Sequence, residues 1–62
     1  MEKVIYKYLT RDENNNPHNR QKTVYMAIPT DEYGFISMTD LFREIQSRLL
    51  KDDTLISVEI YE

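Results

Sequence analysis

The side chains best suited to chemistry gather in one polar run, Arg11-Asp12-Glu13-Asn14-Asn15-Asn16-Pro17-His18-Asn19-Arg20-Gln21, followed at once by Lys22. It holds the single histidine of the chain. Histidine beside arginine and lysine is the chemistry of anion binding, in which a phosphate or carboxylate is held by charge-assisted hydrogen bonds. Asp12 and Glu13 offset most of that charge, and the run has no aromatic ring on which a base could stack. A weak nucleic-acid or anion site built from Arg11, His18, Arg20 and Lys22, helped by Lys3 and Lys7, is therefore the alternative reading and not the first.

Two acidic pairs, Asp31-Glu32 and Asp52-Asp53, raise the question of a metal. They flank opposite ends of a predicted helix about 20 Å long, so they cannot share an ion, and solvated turns explain both. The absence of cysteine removes thiolate nucleophiles, thiolate metal sites and disulfides together. The only imidazole lies in a loop with nothing to orient it, and Ser37 and Ser47 are accounted for by a helix cap and an exposed helix face. No catalytic residue, metal or cofactor is expected. Charge gives a third reading: residues 1–30 carry five Lys/Arg against three Asp/Glu, net +2, whereas residues 31–62 carry three against eight, net −5. Such an acidic half resembles a nucleic-acid backbone in charge, the device of small phage-type inhibitors. Residue usage, rich in Asn, Lys, Ile and Tyr with one Gly and two Pro, points to AT-rich coding in a bacterium or phage.

Alternation of side chains sets the elements that must position these groups. In a first strand, Lys3 to Thr10, Val4, Tyr6 and Tyr8 share one face and Ile5, Lys7 and Leu9 the other; burying the tyrosines keeps Lys7 out of the core. A second strand, Lys22 to Ile28, places Val24, Met26 and Ile28 inside and Thr23, Tyr25 and Ala27 outside. The third, Thr54 to Tyr61, places Ile56, Val58 and Ile60 inside and Leu55, Ser57, Glu59 and Tyr61 outside. Between the last two, Ser37 is an N-cap with Asp40 three residues on, a capping-box variant, and Ile36 can staple onto Leu41. A helix from Met38 to about Leu50 follows, with Leu41, Phe42, Ile45 and Leu49 as its buried stripe and Glu44–Arg48 as an i,i+4 pair.

These elements give one α+β domain over residues 1–62, in the order ββαβ. The strands form a three-stranded antiparallel sheet of order 2-1-3, with the helix packed on one face. Lys7 and Glu59 then meet on the other face. One helix covers one side of a sheet, yet Ile5, Leu9, Tyr25, Ala27, Leu55 and Tyr61 all point to the uncovered side, around Lys7 and Glu59. A chain of 62 residues buries only about 60% of its unfolded surface, and self-association is the remaining way to add to so small a core. The expected partner is a second copy or a larger protein, bound through the open sheet face or an edge strand. No apolar run approaches the roughly 20 residues of a membrane span, so no membrane partner is expected. The expected location is the cytoplasm.

Overall fold

The computed structural model describes residues 1–61 and has three strands and one helix: β1 (Glu2–Arg11), β2 (Pro17–Met26), α1 (Met38–Gln46) and β3 (Thr54–Tyr61). The strands form one antiparallel sheet of order β2-β1-β3 with the helix on one face, which is the expected α+β arrangement. Val4, Tyr6 and Tyr8 of β1 are buried with Met26 of β2 and with Leu41 and Ile45 of α1. Val24, Ile28, Leu49, Leu55, Val58 and Ile60 pack around them. The Tyr6 and Tyr8 rings lie 5.8 Å apart and tilted, a favourable aromatic arrangement at the centre of the core.

The polar run after β1 is not a projecting mobile loop. Only Asp12 to Asn16 connect the strands, and β2 starts at Pro17, five residues ahead of its expected beginning. The first half of β2 is polar on both faces and exposed throughout, and this pattern hid it from an argument based on apolar alternation. Pro17, opposite Arg11, is tolerated there because an edge strand need not donate every N–H to a ladder.

The hairpin turn is closed by its own aspartate. Asp12 N–H donates to the Asn16 carbonyl (3.1 Å) and Asn15 N–H to the Asp12 carbonyl (2.9 Å), while Asp12 Oδ1 accepts from the N–H groups of Asn14 and Asn16 (both 2.9 Å). The same circuit recurs before the helix. Asp31 N–H donates to the Phe35 carbonyl (2.8 Å), Gly34 N–H to the Asp31 carbonyl (3.1 Å), and Asp31 Oδ1 accepts from Tyr33 N–H (2.9 Å) and Phe35 N–H (3.0 Å). In each loop the fourth residue takes a positive φ, 65° at Asn15 and 84° at Gly34. Asparagine and glycine are the residues that adopt this conformation at least strain. Asp12-Glu13-Asn14-Asn15-Asn16 and Asp31-Glu32-Tyr33-Gly34-Phe35 are thus one loop design used twice. An isolated bridge between Thr30 and Ile36 closes the second copy.

Ser37 caps α1 as expected, its Oγ accepting from Asp40 N–H at 3.4 Å. The reciprocal half of the capping box is not made. Asp40 Oδ1 instead accepts from Arg43 (3.1 Å), and Ser37 N–H donates to the Pro29 carbonyl (2.9 Å). The helix also stops at Gln46, short of Leu50. Arg48 and Leu49 N–H groups bond to carbonyls three residues back, so the last turn tightens, and the Asp53 carboxylate accepts from Leu50 N–H (3.0 Å) to turn the chain into β3. Phe42, expected in the buried stripe, is 40% exposed. The shortened helix still sets Leu41 and Ile45 fully into the core.

β3 departs from regular pairing once. Lys7 pairs with Ser57 and Tyr8 with Leu55, so Ile56 is an extra residue in a bulge. This reverses two assignments made from strict alternation. Leu55 packs against the core, and Ile56 is 56% exposed.

Candidate functional site

The register brings the outward residues of β1 into rows with those of its neighbours. Lys3 lies between Tyr25 and Tyr61, Ile5 between Thr23 and Glu59, Lys7 between Gln21 and Ser57, and Leu9 between Asn19 and Thr54. Of the outer-face residues expected from the sequence, Ile5, Lys7, Leu9, Tyr25, Glu59 and Tyr61 share this surface. Ile5 and Leu9 are half-buried between their neighbours, and Tyr25 and Tyr61 are 64% and 45% exposed.

Two expected members are elsewhere. Leu55 lies on the helix side because the bulge displaces it, and Ala27 lies beyond the end of β2, beside a depression bounded by Met1, Ile28 and Ile36. Ile56 joins the surface in their stead, with Lys7, Asn19, Arg20 and Gln21 around a shallow depression of about 370 Å³. Alternation alone cannot reveal this, because Leu55 and Ile56 are both apolar and adjacent. Only the pairing with Tyr8 decides which one faces inward.

A polar line crosses the face. Lys7 Nζ stands 4.0 Å from Glu59 Oε1, the meeting expected from the strand order. The other carboxylate oxygen, Glu59 Oε2, accepts the Tyr61 hydroxyl, and Lys3 Nζ sits 5.9 Å from the centre of the Tyr61 ring. The hydrogen bond to an anion favours the neutral phenol, so Tyr61 titrates above its ordinary 10.0, with the negative charge of Glu59 adding to the effect. Lys7 and Glu59 are each about half exposed, so their attraction orders side chains more than it stabilises the fold. The surface offers aliphatic and aromatic contact with one opposite-charge pair at its centre. That composition suits docking; it contains no imidazole or thiol.

The four basic residues read as a loop cluster are distributed differently from that expectation. Arg11 ends β1 and donates to the Asn15 carbonyl (3.0 Å), bracing the hairpin turn. His18, Arg20 and Lys22 belong to β2, opposite Thr10, Tyr8 and Tyr6, so they alternate along one rigid face, the face that also carries the helix. His18 Nε2 lies 3.0 Å from Asp12 Oδ2. This contact, followed by the N–H groups of Asn16 and Asn14, holds the Asp12 carboxyl below its ordinary 3.8. Arg20 and Lys22 are exposed and enter no ion pair among the described residues.

Four of the remaining acidic groups are engaged locally. Asp31 and Asp53 accept backbone N–H groups of their own turns, and Asp40 and Glu44 pair with Arg43 (3.1 Å) and Arg48 (3.3 Å). Among the described residues, no three His, Cys, Asp or Glu side chains gather as a metal site would need. Both serines singled out earlier are also occupied, Ser37 as the cap and Ser47 through a bond to the Glu44 carbonyl (2.6 Å). No helix among these residues is long and apolar enough to cross a membrane. Neither a family model, nor a curated protein, nor a solved structure matches the chain.

Proposed function

We propose that this chain is a small non-enzymatic interaction module, working in the cytoplasm, that self-associates through the outer face of its sheet and acts by occupying a surface on a larger protein. One observation carries the reading: Ile5, Leu9, Tyr25, Ile56 and Tyr61 lie on or at the border of the sheet face opposite α1. The molecule is elongated and flat, 45 × 19 × 13 Å.

Charge supports a symmetric pairing. Because Lys7 and Glu59 are neighbours, a two-fold axis near them sets Lys7 of each copy over Glu59 of the other. The lack of cysteine suits a reducing compartment. The nucleic-acid mimic draws no support, since Asp12, Asp31, Asp40, Glu44, Asp53 and Glu59 are all tied to nearby cations or backbone donors. Recognition of an anionic partner is favoured by one feature, the placement of His18, Arg20 and Lys22 along a single face of β2.

Sedimentation of the purified protein across micromolar concentrations tests the main reading. A dimer is expected, and Tyr25→Glu together with Tyr61→Glu, which sets like charges on both flanks of the face, returns it to monomer. A monomeric unmodified chain throughout that range ends the self-association half of the proposal.

A further inference from the structure

Both β2 and β3 are edges of the sheet, and they are not equivalent. β3 is interrupted by the bulge at Ile56, a device that disfavours pairing with an added strand. β2 keeps continuous register with β1 from Met26 to Pro17. Its free side can be read from the turn. Asp12 N–H donates to the Asn16 carbonyl, so the alternation of an antiparallel ladder makes Thr10–His18, Tyr8–Arg20, Tyr6–Lys22 and Val4–Val24 the hydrogen-bonded pairs. The main-chain N–H and C=O groups of Asn19, Gln21, Thr23 and Tyr25 therefore turn away from β1, toward the open edge.

We propose that β2 is a docking edge for an extended acidic peptide, which adds as a fourth strand and sets carboxylates at alternate positions against Arg20 and Lys22. A residue of the added strand opposite Arg20 or Lys22 falls in a non-hydrogen-bonded pair, where Cα atoms approach to about 4.5 Å and side chains meet most closely. The outward main chain of Asn19, Gln21 and Thr23 supplies the ladder, and the two cations select the sequence. His18 contributes less, being held by Asp12.

The chain itself does not supply this strand. A second β2 sets Arg20 and Lys22 against their own copies, and β3 offers Glu59 as its only carboxylate. A nucleic acid fits poorly as well. Tyr6 and Tyr8, the rings nearest the cations in register, are only 4% and 8% exposed and leave no platform for a base, and a phosphate backbone cannot continue a β-ladder.

The probe is a labelled peptide of alternating glutamate and threonine, titrated at low salt with amide chemical shifts and anisotropy as readouts. Binding is expected to perturb the amides of Asn19, Gln21 and Thr23, and the double variant R20E/K22E should weaken it about tenfold or more. That variant should melt like the unmodified chain, so that lost binding is not lost folding. N-methylation of alternate peptide amides should abolish binding. No binding at low salt, binding indifferent to N-methylation, or equal displacement by a single-stranded oligonucleotide would overturn the proposal. The last two results would assign Arg20 and Lys22 to simple anion binding.

Discussion

Asp12 does two things at once. Its Oδ1 organises the hairpin turn through the N–H groups of Asn14 and Asn16, while its Oδ2 meets His18 on β2. All these partners favour the ionised carboxylate, which is why its pKa falls. A lowered folded-state pKa contributes stability that is fully present above the unfolded value near 3.8 and is lost as pH falls through the lower folded value. Asp12→Asn keeps an acceptor oxygen for the turn but removes the ionisable group. Its urea midpoint should therefore decline less steeply than that of the unmodified chain as the solution is acidified below 3.8. Parallel acid limbs for the two proteins would show that the carboxylate charge contributes nothing there. The duplicate, Asp31, makes the same backbone bonds without a histidine beside it.

At the scale of elements, the alternation in β1 and the cap at Ser37 were readable because each rests on local chemistry. Val4, Tyr6 and Tyr8 had to face inward to keep the Lys7 charge out of the dry core, and that choice in turn fixed the outer positions of Ile5, Lys7 and Leu9. What escaped is settled by pairing. Residues 17–21 are extended because the far half of β1 needs a partner, a demand invisible in their own polar sequence. The tight turn was hidden because the run holds no Asn-Gly or Asp-Gly pair; the working signal is an aspartate followed three residues later by asparagine or glycine. The bulge was the costliest omission, since it exchanged Leu55 for Ile56 at the proposed interface. It also makes a specific prediction: deleting Ile56 joins Leu55 to Ser57 in regular register and leaves every other residue on its present face. Such a deletion should change stability by no more than about 1 kcal/mol in denaturant titration. Deleting Val58 instead shifts part of the strand across the sheet and should unfold the protein. Equal damage from both deletions would contradict the assigned pairing.

The whole molecule rests on few buried side chains: Val4, Tyr6, Tyr8, Met26, Leu41 and Ile45. At roughly 0.05–0.15 kcal/mol per residue, a chain this size has a stability of only about 3–9 kcal/mol. Ile45 is fully buried, and Ile45→Ala should remove about 2–5 kcal/mol, a large share of that total. Circular dichroism with urea titration checks this. If association also stabilises the fold, raising the protein concentration should restore part of the loss. An unchanged midpoint for Ile45→Ala would mean that the core lies elsewhere. Pro17 has a further consequence for so exposed a molecule. Lacking an N–H on the free side of β2, it acts as a stop at the hairpin end, so whatever zips along this margin has its last rung fixed at Asn19. The hairpin tip is thereby one donor short, and the proposed peptide would find its full main-chain partners only at Asn19, Gln21, Thr23 and Tyr25.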